Sequence, residues 1–151
     1  MKRKTLAGMM SLAIMAAVAV PVYAEDKTTE LNTNVSSTYE LTIPSATEID
    51  FNAATTALNG ELKVTGNVKP DETVTVSAAK NILENQDNAG AAIEFALKKD
   101  ASDFTSETWS EAELRSGTKE ISLSVAIEQS AWDSAKAGDY TGGIVFTAEL
   151  N

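Results

Sequence analysis

The sequence predicts an all-β protein, an antiparallel sandwich of about seven strands preceded by a cleaved signal helix. Three observations carry this. Beyond residue 37 the apolar residues recur with period two rather than 3.6. Clusters of Gly, Asn, Asp and Pro separate the runs into short pieces, as hairpin-linked strands require. The 151 residues include no cysteine, so the fold rests on an apolar core and not on disulfides.

The first 24 residues read as an address. Lys2, Arg3 and Lys4 form a positive start, Leu6 to Val20 is apolar apart from Gly8 and Ser11, and Pro21 breaks the helix. Val22-Tyr23-Ala24 then places small residues where signal peptidase needs them. The apolar run falls short of the roughly 20 residues of a spanning helix, and Glu25-Asp26 follows at once. Cleavage after Ala24 removes three basic residues and no acidic one, taking the net charge from −10 to −13. The expected location is therefore secreted or extracellular, associated with the cell surface, with no membrane insertion after cleavage. The C-terminal Phe146 to Asn151 reads as strand and not as an anchor, and no wall-sorting sequence is expected.

Residues 25–37 are polar and read as a flexible leader or as a donor strand. Leu31, Thr33 and Val35 keep the odd-numbered phase of Tyr39, Leu41 and Ile43, so the leader could extend the first strand or detach from it. Residues 38–151 form the sandwich domain. Its alternating runs are Tyr39–Ile43, Ile49–Phe51, Glu61–Thr65, Thr73–Ser77, Ile93–Lys98, Ile121–Glu128 and Ile144–Leu150. Asn59-Gly60, Gly66-Asn67, Lys69-Pro70-Asp71, Asn85 to Gly90, Ser116-Gly117 and Gly138-Asp139 supply the turns. One apolar face per run fits two sheets packed by their inner faces. Phe104–Leu114, around Trp109, breaks the alternation. Ser130–Ala137 reads as a helical turn with Ser130 as N-cap and Gly138 as stop. Trp109 and Trp132 read either as plugs over the ends of the core or as an aromatic platform for a sugar.

Composition excludes several chemistries. With no His and no Cys, there is no Ser-His or Cys-His pair, no thiolate redox site and no ordinary zinc site. A net charge of −10 repels a phosphate backbone, so no nucleic-acid partner is expected. Ser77-Ala78-Ala79-Lys80 matches an acylating Ser-x-x-Lys motif, but it lies at the end of an alternating run, where Ser and Lys do not share a helical turn. The acidic residues Glu84, Asp87, Asp100, Asp103, Glu107, Glu111 and Glu113 read as a solvated surface. Ala96 stands where an EF-hand would need its bidentate Glu. No catalytic residue, no metal ligand and no cofactor is assigned, and the protein is expected not to be an enzyme.

Ala137-Gly138-Asp139-Tyr140-Thr141-Gly142, leading into the alternating Ile144–Leu150, resembles the entry to the last strand in small secreted bacterial immunoglobulin-like β-sandwich proteins, fimbrial and pilin-type surface subunits among them. The resemblance covers roughly residues 95–150. It implies an immunoglobulin-like fold and a structural or adhesive, pilin-like function. Its partners would be copies of the chain itself or other cell-surface proteins. In pilins of this kind a neighbour's N-terminal strand completes the sandwich, a part that residues 31–37 could play. The alternative reading is a soluble secreted module that binds a glycan or Ca²⁺.

Overall fold

The computed structural model describes residues 27–151, so the predicted signal at 1–24 lies outside the described residues. Residues 27–33, taken by themselves, carry no regular secondary structure. Residues 34–151 form one compact unit.

The unit is mostly antiparallel strand. β1 (Thr38–Thr42), β2 (Thr55–Ala57) and β3 (Leu62–Asn67) are followed by β4 (Thr73–Lys80) and β5 (Leu83–Asn85). Next come β6 (Ala92–Ile93), β7 (Ala96–Lys99), β8 (Ser102–Asp103) and β9 (Ser106–Ser110). A one-turn helix α1 (Glu111–Arg115) leads to β10 (Lys119–Ile121) and β11 (Leu123–Ala126). A second short helix, α2 (Gln129–Asp133), precedes β12 (Tyr140–Thr141) and β13 (Ile144–Leu150).

Pairing gathers these into two layers. In one, β1 pairs with β3 and β3 with β10, while β2 and β7 flank β11 and β8 lies beyond β7. Only Ser122 separates β10 from β11, so the two sheets run into each other as lanes β1, β2/β3, β10/β11, β7. In the other, β4 lies between β13 and β9, and β5 between β12 and β6. β4/β5 and β12/β13 are each one interrupted lane, with register Leu150↔Val74 at one end and Tyr140↔Asn85 at the other.

The inner faces of the two layers share their apolar residues. Leu62 and Val64 from β3 meet Val74 and Val76 from β4, all four without exposed surface. Val68, Leu97, Phe104, Trp109, Leu114, Ile121 and Leu123 complete this cluster. A second cluster joins Ile93, Phe95, Val125, Ile127 and Trp132 at the α2 end. Leu58 and Ile144 touch both clusters.

Six of the seven alternating runs carry strands, but Ile49–Phe51 does not. The chain turns there, with the Ala53 N–H donating to the Asp50 carbonyl (3.1 Å) and Asn52 in the left-handed region at φ 64°. The turn leaves Phe51 75% exposed. The strand forms later, at Thr55–Ala57, where β11 supplies the partner. The Ile93–Lys98 run divides between layers: Ile93 pairs with β5, and Leu97 with β11. The polar segment Ser106–Ser110 is also a strand. It lies at a sheet edge and turns only Trp109 fully inward, so it shows no apolar alternation. In α2 the N-cap is Glu128 and not Ser130, and the helix ends at Ser134, four residues before Gly138. At the other helix, the Glu113 carboxylate accepts from both the N–H and the Oγ–H of Ser110 (2.8 and 2.7 Å), fixing the turn out of β9.

The turn into β12 is held by buried Asn85. Its Oδ1 accepts the N–H groups of Asp87 and Asn88 (2.9 and 2.8 Å), and its Nδ2 donates to the carbonyls of Lys136 and Ala137 (3.4 and 3.3 Å). Gly138, at φ 140°, passes so close that a Cβ would lie 2.6 Å from that Oδ1. Two residues on, the Tyr140 hydroxyl donates to the Lys136 carbonyl (2.8 Å) and accepts the Lys136 N–H (3.0 Å). Removing the hydroxyl leaves both backbone groups without that partner. Tyr140→Phe is therefore expected to destabilise the fold by about 1–2 kcal/mol in urea unfolding; an unchanged midpoint would show that the hydroxyl is not needed there.

Candidate functional site

The feature that sets this surface apart is the outer edge of β13. In an antiparallel ladder, alternate residues exchange both hydrogen bonds with their partners, and the residues between them point the other way. Thr73 and Asn151 exchange such a pair (3.0 and 2.9 Å), and the Gly143 carbonyl accepts from Asn81 (2.9 Å). Odd positions of β13 therefore bond to β4. The N–H and C=O groups of Ile144, Phe146, Ala148 and Leu150 face outward, where no further strand lies among the described residues. One of these groups is occupied, since the Tyr39 hydroxyl donates to the Ala148 carbonyl (3.1 Å). Seven residues make a long unpaired edge for so small a domain.

Beside that edge the layers do not close. Ile43, Ile49, Leu58, Phe95 and Val125 from one side meet Ile144 and Phe146 from the other around an open apolar slot of about 220 Å³. Ile43, 51% exposed, lies at its rim.

The sequence-derived candidates lie as follows. Leu31, Thr33 and Val35 are in no strand; Leu31 is 89% and Val35 68% exposed. Trp109 packs in the larger cluster beside β4, and Trp132 in the smaller one with its Nε1 donating to the Ala53 carbonyl (3.1 Å). Both rings are buried, so neither offers a face to a sugar. Ser77 and Lys80 both lie on β4, three strand positions apart and on opposite faces. The acidic loop at 85–91 is ordered by Asn85. Among the described residues no three acidic side chains lie close enough to hold a metal ion.

The junction between the leader and β1 is clamped. The Ser37 hydroxyl donates to the Glu72 carboxylate and accepts the Lys69 N–H (3.1 Å), and that N–H also reaches Glu72 (3.0 Å). The Ser37 hydroxyl, and then the Lys69 N–H, hold the Glu72 carboxyl below the usual glutamate range. The sequence shows no signal for this clamp, because residues 37 and 72 meet only through the pairing of β1 with β3. Nor does it reveal the free edge, which depends on the parity of the β4–β13 register.

Compared with protein-family models and with curated proteins, the chain matches none.

A lowered folded-state pKa at Glu72 stabilises the clamp at pH values above the unfolded value and ceases to do so as pH falls through the folded one. Protection of the Lys69 amide, taken against its intrinsic exchange rate at each pH, should thus be high at neutral pH and fall as the pH drops below about 4.3. In Glu72→Gln this acid-dependent loss of protection should vanish. An identical pH profile in wild type and variant would show that the clamp plays no part.

Proposed function

We propose that this protein is an exported, non-enzymatic surface subunit of pilin-like type, with an immunoglobulin-like sandwich that lacks its last strand and is completed by residues 31–37 of another copy. The single observation that carries the reading is the unpaired outer edge of β13 beside an open apolar slot.

The comparison with the immunoglobulin plan supports it. That plan sets strands A, B, E and D in one sheet and C, F and G in the other, with a tyrosine near the start of F bonding back to the chain just upstream. Lanes β1, β2/β3, β10/β11 and β7 follow the A-B-E-D order. β4/β5 takes the place of C and β12/β13 that of F, with Tyr140 bonded to Lys136 at its start. G would lie against the outer edge of β13. A strand added there pairs with the outward groups of Ile144, Phe146 and Leu150 by main-chain hydrogen bonds and drops alternate side chains into the slot. Leu31, Thr33 and Val35 share one face of an extended chain. The first 24 residues supply export, with cleavage after Ala24.

Expression of the full chain in a secreting host should yield a mature N-terminus at Glu25; retention of residues 1–24 would remove the export premise. The mature protein should form concentration-dependent oligomers by light scattering, and deletion of residues 25–37 should leave a folded monomer. Ala148→Pro is a second, independent variant. Its N–H faces away from β4, so proline spares the ladder while blocking an incoming strand. It too should give folded monomers. Oligomers unchanged in both variants would overturn strand completion.

A further inference from the structure

α2 and the two loops beside it frame a second concavity, a cleft of about 1020 Å³ with mixed polar and apolar walls. One wall is the 48–53 turn. It carries the most exposed aromatic ring among the described residues, Phe51 at 75%. That ring makes a T-shaped contact with Trp132, with centroids 5.6 Å apart and planes at 78°, and most of its surface stays open to solvent. The turn is fixed from behind: Trp132 Nε1 donates to the Ala53 carbonyl (3.1 Å), and Ala53 N–H to the Asp50 carbonyl (3.1 Å). The facing wall is the 136–141 segment, tied down by the Tyr140 hydroxyl on Lys136, by Asp139 N–H on Asp87 Oδ2 (2.9 Å) and by Gln86 N–H on the Asp139 carbonyl (2.7 Å). Between the walls, the carboxylates of Glu48, Asp50 and Asp139 have no hydrogen-bond or ion-pair partner among the described residues.

We propose that this cleft binds a neutral saccharide, with one pyranose ring lying on Phe51 and its hydroxyls donating to Asp50 and Asp139. Its chemistry selects that class. An anionic ligand would meet three carboxylates against the one ammonium of Lys136, on a chain of net charge −10. A metal ion would need acidic groups that converge, and no such group exists among the described residues. A pyranose offers an apolar C–H face for an exposed ring and a rim of hydroxyl donors for acceptor-only carboxylates. Both walls are held by hydrogen bonds already made without ligand, so binding orders little additional chain. The Trp platform considered from sequence is replaced by Phe51, a residue whose exposure comes from the left-handed turn at Asn52.

The test is titration of the mature protein with cellotriose, maltotriose, mannotriose and N-acetylated chitotriose, followed by calorimetry and by amide chemical shifts. At least one trisaccharide should bind saturably and shift amides of residues 48–53 and 136–141, with an affinity insensitive to 50–500 mM salt. Phe51→Ala should weaken it by about tenfold or more, and Asp50→Asn with Asp139→Asn several-fold, at unchanged far-UV dichroism. Phe51 is exposed, so its loss leaves the core intact; Phe51→Tyr should restore binding. No saturable binding to any of the four, or shifts confined to other residues, would each overturn the proposal.

Discussion

The packing of β4 against β3 is the constraint on which the rest of the molecule depends. Val74 and Val76 reach across to Leu62 and Val64, and none of the four retains exposed surface. Without cysteine, this apolar contact is what joins the two layers. Burying each such side chain contributes roughly 1.5–3 kcal/mol before cavity effects, so the four together outweigh any surface pair on the molecule. β4 is paired on both sides, to β13 along Val74–Lys80 and to β9 along Thr73–Ser77. Its register therefore decides which groups of the last strand turn outward.

Charge plays a different part. The ion pairs, such as Lys63 with Glu120 and Glu61 or Lys98 with Asp103, lie on exposed side chains and hold strands only weakly together. Lys63 sits on β3 opposite Glu120 on β10, where opposite charges across a strand pair favour that register. The carboxylate excess otherwise keeps the surface solvated and anion-repelling. It is least relevant at the β13 edge, where the exposed groups are main-chain amides and apolar side chains. Proteins usually shield a long strand edge with charge, a bulge or a covering loop. Here one tyrosine hydroxyl, from Tyr39, covers one carbonyl. So sparse a shield on so long an edge is what gives the assembly reading its physical basis.

The two candidate surfaces adjoin, with Thr47, Ile49, Leu83 and Gly142 in the walls of both. The bend at Gly142-Gly143 divides β12 from β13, and Gly142 lies against the Ile82 carbonyl so tightly that a Cβ would sit 2.7 Å from it. On one side of that bend lies the slot along β13, lined mainly by aliphatic side chains with Phe95 and Phe146. On the other lies the cleft under Phe51 and Tyr140, lined half by polar groups.

The strand-rich, cysteine-free character of the chain could be read from the sequence alone, because alternation records which face of each strand is buried, and six of the seven runs formed strands. Gly138 and Tyr140 were visible as a motif, since a left-handed glycine and a back-bonding hydroxyl act within a few residues of each other. Three things were decided only by tertiary structure. Ser106–Ser110 became a strand because β4 offered it a ladder, not through its own pattern. Ile49–Phe51 became a turn because Asn52 adopted a left-handed bend, which turned an expected core ring outward. The outward parity of Ile144, Phe146 and Ala148 followed from pairing with a strand some 70 residues away. Periodicity marks which side chains face the core, but the direction of the backbone hydrogen bonds, perpendicular to the side chains, exists only once a neighbour has been chosen.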